Sequence, residues 1–244
     1  MMAGYPTRTE SLAVLRALAE AGADLIELGV PYADPLADGP VIREAADGAR
    51  RAADGAFGLA ETIGVAREFI AAAGDDAPPV ALMTYLNPLM RTGLPTAAAA
   101  MREAGIGGVI VPDLPPDMAA PWLAASGGLD TVFLVAPTST GERLAKVGAA
   151  SRGFVYCVSA TGVTGERSEL PAELSELVAR VKAATKLPVA VGFGVSTPEQ
   201  AGRVAREADG VIVGSAIVKR QGDIVELREF VGSLALAVHG ASPS

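Results

Sequence analysis

The chain has 244 residues, half of them hydrophobic and few aromatic, enough to bury one large core. A net charge of -8 argues against nucleic acid or an anionic membrane as partner. One cysteine, Cys157, and one histidine, His239, argue against a disulfide framework, a cysteine- or histidine-based metal centre and a His-dependent nucleophile triad.

The front of the chain lacks a basic region followed by an apolar stretch, and no apolar run approaches the roughly 20 residues of a membrane helix. A soluble, cytoplasmic protein is expected. Only Met1-Met2-Ala3-Gly4 precedes the first turn. An Ala-rich amphipathic helix is then predicted over 10–21 and an apolar strand over 24–29. Further strands are predicted over 80–85, 108–111, 131–135, 154–158, 188–191 and 210–213. Helices are predicted between and after them, over 60–73, 96–104, 118–125, 141–149, 171–184, 198–206 and 224–237.

Strands apolar on both faces that alternate with helices indicate a parallel sheet in an α/β protein. Seven full strands are countable, and an eighth would have to lie at residues 1–4. The length suits a (β/α)8 TIM barrel, typically about 250 residues, with its first strand truncated. The expected domain is a single barrel over 1–244, with about 239–244 a flexible tail. A doubly wound open sheet comes second, because its Gly-rich fingerprint after the first strand is missing. A truncated first strand is expected to leave unpaired edges on the two strands beside it.

Barrel chemistry sits at the carboxyl ends of the strands. Glu27 lies there on the 24–29 strand, where a carboxylate is costly unless paired or protonated. Leu25, Ile26 and Leu28 are expected to desolvate it. Asp34 and Asp38 follow in Pro- and Gly-rich backbone. A turn role explains Asp34 well and Asp38 partly but gives no reason for Glu27, so a proton-transfer site at Glu27 and Asp38 is the better reading.

The last three loops place glycine beside small hydroxyl residues: 159–165, 191–196 and 213–219. Consecutive backbone N–H groups there can hold an anion, as barrels often do after their last two strands with a short extra helix, which 215–219 is placed to be. Gly165, Gly194, Gly214 and Ser215 are the expected phosphate-binding residues. Gly192 is as well explained by relief of crowding.

Together these motifs resemble the α subunit of tryptophan synthase. The likeness lies in the 26–40 segment with Glu-Leu-Gly-Val-Pro and Asp-Pro-Leu-Ala-Asp-Gly-Pro, in Tyr156 with Gly162-Val163-Thr164-Gly165, in Gly192-Phe193-Gly194, and in Gly214-Ser215-Ala216-Ile217-Val218-Lys219. The resemblance implies retro-aldol cleavage of indole-3-glycerol phosphate to indole and glyceraldehyde 3-phosphate. Glu27 would move the protons and Asp38 would hold the indole N–H. It also implies that Tyr156 and Thr164 order the site, and Phe193, Met83 and Ile110 are expected indole contacts. No metal or organic cofactor is implied in this chain; pyridoxal phosphate is expected only in a partner β subunit, in an α2β2 assembly. Residues 87–89 and 113–116 resemble the surface facing that partner. A weakly active barrel that activates the partner, or a stand-alone lyase, are the alternatives. The chain departs from the family at its front, in Tyr5 where an aspartate is common, and in Ala160 where a basic residue is frequent.

Overall fold

Among the described residues, eight short strands pair in parallel, and paired residues of a parallel ladder share one face of the sheet. In the computed structural model, which describes residues 1–36, 38–158, 172–192 and 194–241, the first four are β1 (Ile26–Gly29), β2 (Val80–Met83), β3 (Gly108–Ile110) and β4 (Asp130–Val132). The second four are β5 (Leu134–Val135), β6 (Val155–Val158), β7 (Val189–Gly192) and β8 (Gly210–Val211). Each set forms a sheet in chain order. β4 and β5 are one run of chain interrupted at Phe133, whose carbonyl accepts from Tyr156 N at 3.1 Å. The two sheets thus continue into each other through the predicted 131–135 strand.

The helices are α1 (Arg8–Glu20), α2 (Pro40–Ala52), α3 (Leu59–Ala73), α4 (Leu86–Thr92), α5 (Leu94–Glu103), α6 (Ala120–Ser126), α7 (Gly141–Ala150), α8 (Ala172–Ala184), α9 (Pro198–Ala205), α10 (Ser215–Val218) and α11 (Ile224–His239). Two of them, α2 and α4, fall where no helix was predicted. α11 runs two residues past the expected end, and its last residue, His239, sets Nε2 at 2.9 Å from Asp24 Oδ2.

Alternation along the strands sorts the side chains into two layers. Ile26, Leu28, Val80, Leu82, Val109, Val135, Cys157, Val189 and Val191 face outward into the main core, shared with α1, α3, α5, α7, α8, α9 and α11. Ala81, Ile110, Val132 and Tyr156 form a separate inner cluster, with Met83, Leu134, Phe154, Val158 and Ile212 against it. Register places Glu27 beside Ala81, and Gly29 beside Met83 and Ile110, on that inner side.

The expected open edge on β1 is not there. Gly29 N donates to Met1 O at 2.8 Å and Ala3 N donates to Gly29 O at 3.0 Å, around a parallel bridge between Met2 and Gly29. This short strip pairs β1 on the side away from β2. Its outer backbone is met by a side chain: Gln221 accepts from Met2 N at 2.8 Å and donates Nε2 to Met2 O and Tyr5 O, both at 3.0 Å. Met2 packs with Ala45 and Ala46 of α2 and Val218 of α10. A buried amide and three apolar neighbours therefore hold the strip.

Candidate active site

Glu27 reaches inward from β1, and its Oε2 is enclosed with no hydrogen-bond partner among the described residues. Burial pushes its carboxyl above the usual carboxylate range; the nearby Met1 ammonium opposes the rise and the Asp38 carboxylate adds to it. The sequence expectation that Leu25, Ile26 and Leu28 desolvate this group is corrected. Ile26 and Leu28 belong to the outer core, and Leu25 is 41% exposed. The period of two turns sequence neighbours to the opposite face, so the barrel interior encloses Glu27 instead.

Tyr156 stands on the inner side of β6, close enough to Glu27 that the carboxylate's charge adds to burial in pushing its phenol up. A Cβ on Gly192 would come within 2.6 Å of the Tyr156 ring and hydroxyl. Gly192 therefore makes room for Tyr156, as the crowding explanation anticipated. Met83 and Ile110 lie on the same inner side, Ile110 fully buried and Met83 partly so. Glu27, Tyr156, Met83 and Ile110 are thus brought onto one surface.

Asp38 lies past β1, in the loop that leads through Gly39 into α2. Burial raises its carboxyl above the usual range, while a hydrogen bond with the Tyr85 side chain and the charge of Arg43 pull it down. Tyr85 is buried, its ring centroid 5.2 Å from that of Tyr32. Asn87 Nδ2 donates to the Tyr32 hydroxyl at 2.7 Å, and Leu86 N donates to Asp113 Oδ1 at 2.9 Å. Sequence reasoning missed Tyr85 and Tyr32 as parts of the site. Their signal was available: two tyrosines beside loops that follow neighbouring strands, where a hydroxyl can reach a carboxylate.

Of the expected phosphate residues, Gly194 has φ +70°, a conformation suited to glycine. Gly214 is the residue before α10, and among the described residues, its chain neighbours aside, no heavy atom lies within 4 Å of where its Cβ would be. Ser215 opens α10, whose first amides have no partner within the helix. Thr164, Gly165 and Phe193 lie outside the described residues.

The segments expected to face a partner are only partly superficial. Leu89 and Leu114 are buried in the core, whereas Met90, next to Leu89, and Met118, two residues past the second segment, are 62% and 68% exposed. Among the described residues there is no group of three or more His, Cys, Asp or Glu that could hold a metal ion, and no helix long and apolar enough to cross a membrane.

The family model for the tryptophan synthase alpha chain matches residues 1–235. A tryptophan synthase alpha chain from Mycobacterium marinum is 48% identical over 238 residues, covering 96% of this chain and 86% of that one. One from Acidothermus cellulolyticus is 49% identical over 217 residues, covering 88% and 79%. Among solved structures, a Mycobacterium tuberculosis tryptophan synthase chain superposes with a TM-score of 0.89 at 46% identity, covering 98% of this chain and 90% of that one. An Aquifex aeolicus chain gives 0.88 at 35% identity, covering 97% and 90%. Agreement of this extent, in sequence and in backbone, means that the chain belongs to the tryptophan synthase alpha chain family.

Proposed function

We propose that the chain cleaves indole-3-glycerol phosphate by a retro-aldol reaction into indole and glyceraldehyde 3-phosphate, with Glu27 as acid–base and Asp38 as the indole-binding carboxylate. The observation that carries this reading is the enclosed, unpartnered Glu27 oxygen on the inner barrel face, with Asp38 close enough to raise its proton affinity. A carboxyl whose hold on its proton is strengthened by its surroundings is better matched to acid–base work than an exposed one. It gives its proton to indole C3. The resulting carboxylate takes the proton of the adjacent glycerol hydroxyl as the carbon–carbon bond breaks and the carbonyl forms. Proton count and charge at Glu27 are restored at the end of the cycle.

Asp38 acts through charge. When C3 is protonated the ring becomes cationic, and a carboxylate accepting the indole N–H stabilises that state more than the ground state. Met83 and Ile110 offer apolar surface for the ring, with Phe193 as a further contact. Tyr156 lies over Gly192 next to Glu27, and Thr164 joins it in ordering the site. Phosphate is held by backbone amides at Gly165, Gly194, Gly214 and Ser215, which needs no cationic side chain and is compatible with an acidic protein.

The partner is a tryptophan synthase β subunit carrying pyridoxal phosphate, in an α2β2 complex. This chain supplies no cofactor of its own to the reaction. Exposed Met90, in α4 after β2, and Met118, in the short 3-10 turn after β3, are apolar surface suited to such a contact. The whole chain works as one barrel domain in the cytoplasm. Indole release from indole-3-glycerol phosphate, measured with and without a β subunit, tests the proposal. Release that rises when the β subunit is added is the expected result. No release under either condition would refute the lyase reading, and release indifferent to the β subunit would refute the partnership.

A further inference from the structure

We infer that Gln221 is a positioning residue for Glu27, its side-chain amide serving as a rung of the barrel. This rests on the reading of Glu27 as the acid–base group. Gln221 is 1% exposed and lies between α10 and α11, yet its partners are at the opposite end of the chain. Both Nε2 hydrogens are used, on Met2 O and Tyr5 O, and Oε1 accepts from Met2 N. A fully bonded, fully buried amide of this kind locks one geometry, because any shift leaves buried backbone groups unsatisfied.

What it locks is the flank of β1. The Met1–Met2–Ala3 backbone contacts Glu27 O at 2.7 Å through Met1 N and brackets Gly29 through Met1 O and Ala3 N. A strip with one bridge is too short to hold register by itself. Gln221 supplies on its outer side what a neighbouring strand would supply in a longer ladder. The residue between the two gripped peptides on β1 is Leu28, which faces the core, so the grip acts on the backbone that aims Glu27 inward.

The test is Gln221→Met in the full chain, which keeps length and volume and removes all three hydrogen bonds. Leu144→Ala, which opens a cavity under α7 away from the strip, serves as a control for general destabilisation. Turnover of indole-3-glycerol phosphate, glyceraldehyde 3-phosphate affinity and melting temperature are measured for both. For Gln221→Met the expectation is a fall in kcat of about 10-fold, since small displacements of a reacting group are costly, with affinity held within about twofold. Leu144→Ala should lower the melting temperature with kcat within about twofold of the parent. Unchanged kcat in Gln221→Met, or equal loss in both variants, overturns the inference. If Gln221→Met does not fold, Gln221→Glu replaces it: it keeps the acceptor for Met2 N, can donate to at most one of Met2 O and Tyr5 O, and should also lower kcat. Glu27→Gln is assayed beside them. An active Glu27→Gln would sink the acid–base reading itself, whereas an inactive one with an unimpaired Gln221→Met removes only the role of Gln221.

Discussion

Replacing Glu27 by glutamine should abolish turnover and at the same time stabilise the protein at pH values where the parent carboxyl is ionised. The side chain keeps its shape, so the fold and the phosphate loops are untouched, while the titratable proton is gone. The stability argument starts from the enclosed Oε2, which has no partner among the described residues. Leaving a buried polar group unsatisfied costs about 1–3 kcal/mol, and more when it is charged. A glutamine amide leaves the same position unpartnered but carries no charge, so it should recover about 1–2 kcal/mol where the parent carboxyl is ionised. For a domain of this size that corresponds to a rise of roughly 2–8 °C in melting temperature.

The pH dependence fixes the sign. Burial raises the folded-state pKa of Glu27 above its unfolded value. Its contribution to stability is therefore fully present below the unfolded pKa, about 4.3, and is lost as pH rises through the folded pKa. The gain from Glu27→Gln should be near zero at about pH 4 and full once pH exceeds the folded pKa. Thermal melts of parent and variant across that range, with indole release at neutral pH, provide the assay. Turnover within about tenfold of the parent would reject the acid–base role, because loss of an essential proton carrier costs more than that. A variant that gains nothing over the parent at the alkaline end of that range would reject the picture of a strained, enclosed carboxylate.

Asp38→Asn should reduce kcat by about 10²–10³ with a smaller effect on substrate binding, since asparagine can accept the indole N–H but cannot oppose the ring's positive charge; steady-state kinetics matching the parent would return Asp38 to the status of a turn residue. Gly214→Val places branches in the space beside the residue preceding α10 and should weaken substrate and glyceraldehyde 3-phosphate together. Titration calorimetry showing equal affinities for variant and parent would mean the phosphate binds elsewhere. Gly192→Ala forces a methyl to within 2.6 Å of the Tyr156 ring, in a strand paired on both sides. It should cost about 1–3 kcal/mol in urea denaturation and lower kcat by displacing Tyr156 from Glu27; an unshifted urea midpoint contradicts that packing.

Glu27 was legible because it interrupts an apolar run at the carboxyl end of a strand, and the strands were legible because parallel strands covered on both faces read as apolar stretches. The missed helices have physical reasons. In α2 the buried face is made of Ala45, Ala46 and Ala49 among many charges, and Gly48 sits mid-helix where a Cβ would come within 2.9 Å of the Tyr5 ring. Pro40 directly after Gly39 was the available start signal. The opening of α4, Leu86-Asn87-Pro88, reads as a turn, and the carboxylate that receives its first N–H is Asp113, on the loop following another strand. A cap that distant leaves no local trace. The same holds for Gln221, whose flanks, Arg220 and Gly222, look like an ordinary polar loop while its bonding partner is 219 positions earlier. Desolvation of Glu27 was read from adjacent residues, although the pleat sends those to the other layer.

Cys157 has one further consequence. Its side chain lies in the layer between strands and helices, fully buried, one residue from Tyr156 on the opposite face of β6, and burial pushes its thiol up to about 12. Thiol reagents attack through the thiolate, so this sulfur is silent until β6 separates from the helices that cover it. As the single cysteine of the chain, it can act as a timer for opening of the very strand that carries the tyrosine of the site. Any ligand that binds only the folded barrel must slow its labelling in proportion to occupancy, so affinity can be read from unmodified protein with no turnover at all.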